Sequence, residues 1–81
     1  MEVAVKQHSV MANVIRFCES KMAEQEFTGL TLVAEGKAVN KAISINEIIK
    51  RKHVGFTSEV ALVPSQTNQD EPMLRISISR R

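Results

Sequence analysis

From Gly36 to Lys52 only a helix separates the apolar side chains from the polar ones. Ala38, Ala42, Ile45 and Ile49 recur at helical spacing, while Lys37, Lys41, Ser44 and the closing Lys50-Arg51-Lys52 fall on the opposite side. One face is therefore dry and the other wet and cationic. Glu35, Gly36 and Lys37 give little side-chain cover to the first backbone amides, and a helix start of that kind attracts anions such as phosphate. Small Ala38 and Ala42 let a neighbouring layer approach closely. Lys50-Arg51-Lys52 oppose the negative end of the helix dipole, so the basic run has a structural explanation beside any functional one.

The remaining segments read as the scaffold of this helix. Val3 and Val5 alternate with polar neighbours and predict a short first strand ending near Gln7, after which His8 or Ser9 is placed to cap a helix. That helix is predicted from Val10 to about Glu26. Met11, Ile15, Cys18 and Met22 form its apolar stripe, flanked by Val10, Val14 and Phe17. Phe27 to Ala34, rich in Leu, Val and Thr, reads as a central strand. His53-Val54-Gly55 ends the second helix, and Phe56 to Val63 forms a third strand that Pro64 stops. The polar stretch from Ser65 to Pro72 reads as a long hairpin arm. Beyond it, Leu74, Ile76 and Ile78 alternate with Arg75, Ser77 and Ser79 as a fourth strand before Arg80-Arg81. The order is βαβαββ, an α+β two-layer sandwich with two helices on one face of a four-stranded mixed sheet.

At 81 residues the chain reads as one domain spanning residues 1–81. A domain of this size buries only about 60% of its unfolded surface, a marginality that dimerisation would relieve. The net charge of +2 is unevenly spread: residues 2–34 carry −1, residues 35–54 carry +3, and residues 55–81 balance. The positive field is centred on the second helix. A lone cysteine, Cys18, excludes an internal disulfide and a cysteine-based zinc site, and its helical neighbours mark it as buried apolar filler. No run approaches the ~20 apolar residues of a membrane span, and Met1-Glu2-Val3 lacks the layout of a signal peptide. The expected location is the nucleus of a eukaryote or otherwise the cytoplasm, without secretion.

Catalysis has little support, because His8 and His53 come with no nucleophile, metal or phosphate-loop motif. His8 beside Ser9 reads as a helix-start pair, Asp70 and Glu71 as a solvated hairpin tip, and His53 as a surface residue suited to the helix dipole. No catalytic residue, metal ligand or cofactor is expected. Lys6, His8, Lys37 and Lys41 could instead meet phosphates if the topology brings both loops to one rim of the sheet. With no Tyr or Trp, and with all three Phe in apolar patterns, a base-stacking platform is not expected, so recognition would rest on backbone and shape. On the residues alone, nucleic-acid binding and a generic protein interaction stand level.

The run Gly36, Lys37, Ala38, Val39, then Lys41, Ala42, Ile43 and Glu47-Ile48 resembles the second-helix signature of the Alba family of small nucleic-acid-binding proteins. The element order, Val10-Met11 at the first helix, Ser65-Gln66 after the third strand and the basic chain end are also similar. Glu47-Ile48-Ile49-Lys50-Arg51 resembles the helix end of the Alba-like subunits of ribonuclease P and ribonuclease MRP. The resemblance implies contacts from the loop after the first strand, where the family has a lysine pair that can be acetylated and this chain has Gln7 and His8, with Lys6 just before them. It carries the family's Gly-Arg/Lys contact onto Gly36 and Lys37. The expected nucleic-acid-binding set is Lys6, Gln7, His8, Gly36, Lys37, Asn40 and Lys41.

In DNA-packaging members the hairpin arm is basic, whereas residues 65–72 here hold no Lys or Arg but do hold Asp70 and Glu71. A minor-groove grip by this arm is not expected. The leading expectation is a non-catalytic RNA-binding ribonucleoprotein subunit, of the kind that acts in tRNA processing. It would form a dimer with itself or, as the ribonuclease P/MRP resemblance implies, with a second Alba-like chain. The alternative is an Alba-type chromatin or DNA-binding homodimer, and a third possibility is an interaction module whose cationic helix serves an acidic protein.

Overall fold

The computed structural model describes residues 1–64 and 72–81. In chain order it builds β1 (Glu2–Val5), α1 (Met11–Met22), β2 (Leu30–Glu35), a 3-10 turn (Gly36–Ala38), α2 (Val39–Lys52), β3 (Phe56–Pro64) and β4 (Pro72–Arg80). The four strands form one sheet in the order β1-β2-β4-β3. β1 runs parallel to β2, with Val5 beside Ala34, and β4 runs antiparallel to both of its neighbours. This is the two-layer mixed arrangement that the alternating and helical periodicities predict.

The core forms where the helical stripes meet one face of the sheet. Leu30, Leu32 and Ala34 of β2 and Leu74, Ile76 and Ile78 of β4 are buried beneath Cys18 and Met22 of α1 and Ala42, Ile45 and Ile49 of α2. Period-2 residues on the strands and period-3.6 residues on the helices thus converge on one apolar layer. Truncating Ile76 or Leu32 to Ala at its centre would cost about 2–5 kcal/mol.

The end of α1 and the start of β2 differ from the sequence reading. α1 ends at Met22, four residues before Glu26, and the turn that follows is held by Ala23 N–H to Glu19 O and Phe27 N–H to Glu24 O. The reason lies at the other end of the chain. Arg80 donates to the carbonyls of Met22 at 3.3 Å, Gln25 at 3.0 Å and Glu24, which satisfies acceptors that a longer helix would have used internally. β2 consequently starts at Leu30 instead of Phe27. Phe27 packs edge-on to Phe56, with ring centroids 5.9 Å apart, and lies beneath the Arg80 guanidinium.

The expected cap by His8 or Ser9 is also absent. Val10 takes the helix-start position without a side-chain bond, because Ser9 is used in a tight turn. Its hydroxyl accepts from Lys6 N–H at 2.9 Å while its own N–H donates to Lys6 O at 3.0 Å. Phe17, expected in the apolar stripe of α1, is 44% exposed and has the Lys21 ammonium over its ring. The arm residues Ser65 to Glu71 lie outside the described residues, and the Pro64–Pro72 pairing bounds them. Among the described residues no helix is long and apolar enough to cross a membrane.

Candidate nucleic-acid interface

Because β1 and β2 are parallel neighbours, their carboxyl ends emerge on the same rim of the sheet. The Lys6–Ser9 turn leaves one end, and Glu35-Gly36 leaves the other. Between them is a cleft of about 300 Å³, lined by Ala4, Val5, Lys6, Gln7, Val33, Ala34, Glu35 and Ala38. The two loops that the sequence singled out therefore flank one opening.

Gly36 makes the second loop possible. Its φ of +57° lies in the left-handed region, where a side chain would be strained, and it turns the chain from β2 directly into the 3-10 turn. No side chain caps this turn or the start of α2. Lys37 and Asn40 follow at helical spacing and are exposed, as are Lys6, Gln7, His8 and Gly36. Six of the seven expected binding residues thus stand open at the rim.

Lys41 departs from the expectation of a free cation on the wet face. It is half-buried, and its ammonium donates to the carbonyl oxygens of Gln7 and Ser9, both at 2.6 Å. An ammonium has three donors, so two of Lys41's are occupied in tying α2 to the first loop. This side chain fixes where Lys6, Gln7 and His8 sit relative to Lys37. The tie spans more than thirty positions, which no local pattern could have shown.

The far end of α2 has more charge and commits part of it internally, with Arg51 left exposed. Glu19 of α1 accepts from Lys52 at 3.1 Å and pairs with His53 at 2.8 Å, while Lys50 lies 3.9 Å from Glu47. Hydrogen bonding from His53 and then Lys52 holds the Glu19 carboxyl below the usual carboxylate range. His53, read from sequence as a surface residue, is a partner in this helix-to-helix clasp and packs edge-on to Phe56.

Among the described residues no group of three His, Cys, Asp or Glu could hold a metal ion. Cys18 is fully buried, and desolvation, followed by the nearby Glu19 charge, pushes its thiol up to about 11, so it stays protonated and unreactive near neutrality. The arrangement offers exposed ammonium groups and amide and imidazole donors beside an uncapped helix start. That is equipment for holding an anionic backbone.

Comparison with known proteins agrees with this fold. A family model described as Alba matches residues 2–60, from β1 into β3. Among solved structures, ALBA1 from Trypanosoma brucei superposes with a TM-score of 0.80 at 15% identity, covering 98% of this chain and 68% of that one. Alba from Thermoplasma volcanium superposes with a TM-score of 0.70 at 15% identity, covering 99% of this chain and 100% of that one. At such identities the structures speak for the fold. A search of curated proteins found no match.

Proposed function

The chain belongs to the Alba family, whose members bind nucleic acids without catalysing a reaction, and from that membership we propose that it is an RNA-binding subunit of a ribonucleoprotein particle. The observation that carries the reading is the shared rim: the Lys6–Ser9 turn and the Gly36–Lys37 helix start flank one opening and are tied together by Lys41. Lys6 and Lys37 supply positive charge, Gln7, His8 and Asn40 supply hydrogen bonds, and the backbone at Gly36 lets a sugar-phosphate chain approach closely. RNA is favoured over DNA because residues 65–72 contain no Lys or Arg, whereas a DNA-packaging arm is basic. The similarity of Glu47-Ile48-Ile49-Lys50-Arg51 to ribonuclease P and MRP subunits points to tRNA processing, and so to the nucleus of a eukaryote or otherwise the cytoplasm.

Alba proteins commonly form dimers. Pairing with a second Alba-type chain would cover Ile43, Val60 and Leu62, which are exposed on the β3 side of the molecule. Gel-shift titration at several salt concentrations, with structured RNA and with duplex DNA, tests the reading. Each neutralised phosphate steepens the salt slope by about 0.9 on duplex and 0.7 on single strands. RNA should bind more tightly at matched salt with a clearly negative slope. Tighter binding to plain duplex DNA would replace the reading with a chromatin-type one, and a flat slope would remove nucleic acid altogether.

A further inference from the structure

A strand held at the rim has two ways to leave it, over the helices or over the bare face of the sheet. The helices run parallel and start together at the rim. Lys41, in the first turn of α2, bonds to the Gln7 and Ser9 carbonyls just before α1, while Lys52 and His53 at the other end meet Glu19. Their seam therefore leads away from the loops that hold Lys6 and Lys37. On the bare face of the sheet, strand alternation places Glu2, Glu35 and Glu59, because Val5, Ala34, Leu74 and Ile76 point to the other side and are buried. Of the described strand residues only Arg75 brings a positive charge there, and it is paired with Glu2 at 3.0 Å. That exit is acidic.

The outer surface of the helices has the opposite sign. Each helix carries one acidic residue, and both are matched: Glu19 by Lys52 and His53, and Glu47 by Lys50 at 3.9 Å. Arg16 and Arg51 are exposed, and among the described residues neither has an ion-pair or hydrogen-bond partner. Arg16 precedes Glu19 by one helical turn and Arg51 adjoins Lys52, so the two guanidinium groups flank the seam that Glu19 bridges. Cys18 and Met22 of α1 and Ala42, Ile45 and Ile49 of α2 are buried on the sheet side, which leaves both arginines outward. Arg51 lies about 18 Å along the axis from the start of α2. The helix dipole accounts for a cation at the end of α2, but Arg16 sits in the middle of α1, where that field does not reach.

Resting on the RNA-binding reading above, we propose that Arg16 and Arg51 form a second phosphate-contact site, to which an RNA strand passes from the rim along the α1–α2 seam. A guanidinium is a planar fork of donors that matches two phosphate oxygens at once, and it keeps its charge at any physiological pH. Small exposed Ala12 and Ser44 leave the seam low between the rim and the arginines, so a sugar-phosphate chain meets no bulky side chain on the way. Contacts of this kind carry no sequence information. They set the direction in which the strand crosses the molecule and lengthen its footprint beyond the rim.

Gel-shift titration of the full chain at several salt concentrations, with a labelled RNA hairpin that carries a single-stranded tail, tests the proposal. The double variant Arg16→Gln/Arg51→Gln, its fold checked by circular dichroism, should bind about tenfold more weakly and lose one to two contacts' worth of salt slope, roughly 0.7–0.9 each. Affinity and slope equal to wild type, with Lys37→Glu still impaired, overturn the proposal and leave the RNA reading in place. Affinity lost at an unchanged slope overturns it too, because that marks a structural role. A wild type that does not bind the hairpin removes both readings. Photo-crosslinking decides the path without removing any arginine, and so serves equally if the double variant fails to fold. A benzophenone side chain at Ser44, two turns before Arg51 on the same side of α2, should capture the RNA, and one at Glu59 on the bare sheet face should not. Capture from position 59, or none from position 44, overturns the proposal.

Discussion

The two ends of α2 put similar residues to opposite uses. The carboxyl end holds three consecutive cations, of which Lys52, with the adjoining His53, is engaged by Glu19 and Lys50 lies beside Glu47, while Arg51 is exposed. The amino end has fewer, but Lys37 is exposed, as is Lys6 on the neighbouring loop, and its other lysine, Lys41, bonds to the backbone of that loop. A helix of fourteen residues separates the two ends by about 20 Å. Charge density along a sequence is thus a poor guide to a binding surface. What matters is which charges the fold has left uncommitted and what geometry it has given them.

Four substitutions test that contrast, in descending order of effect. Lys37→Glu should weaken RNA binding by roughly tenfold or more and flatten the salt slope by about one contact. An unchanged affinity would remove the rim from consideration. Lys41→Met leaves two carbonyls without their donor, so urea unfolding should show a loss of about 1–3 kcal/mol. RNA affinity should fall severalfold because the loop loosens, while the salt slope stays near that of wild type; a slope reduced as much as in Lys37→Glu would make Lys41 a contact instead of a strut.

Glu19→Gln breaks the clasp at the other end and should destabilise by under about 1 kcal/mol, since the pair is partly exposed and screened by solvent. Its pH signature follows from the lowered carboxyl. The stabilisation is complete above the ordinary Glu value of about 4.3 and is lost as pH falls through the lower folded value, so the variant should lack that acid-side component. RNA affinity measured by gel shift should not move. Lys50→Ala should be smallest of all, within about 0.5 kcal/mol in stability and twofold in RNA binding. A Lys50 effect equal to that of Lys37 would erase the distinction between the ends.

What could be read from sequence divides along the same line as local and distant contacts. The stripe Ala38, Ala42, Ile45 and Ile49 and the alternation Leu74, Ile76 and Ile78 each encode an amphipathic face in neighbouring residues, and both led to the right elements. No local pattern marks the end of α1, because Arg80 supplies the missing donors from the other side of the domain. The helical angle of Lys41 places it on the wet face, and only the folded loop brings two carbonyls to its ammonium. Asn46 is buried although nothing local in its sequence neighbourhood marks it so. Gly36-Lys37 was legible because the strand-to-helix turn it makes is local.

The insertion of β4 between β2 and β3 bears on how the molecule is made. Of the four strands it is the last to leave the ribosome, yet it supplies the sheet's middle, so β2 and β3 have no common neighbour until translation has passed residue 80. The same residue finishes α1, synthesised some sixty codons earlier. Early segments must therefore wait for late ones, and such long-range closure makes folding slow and all-or-none, with nascent intermediates that expose apolar strand surface to chaperones.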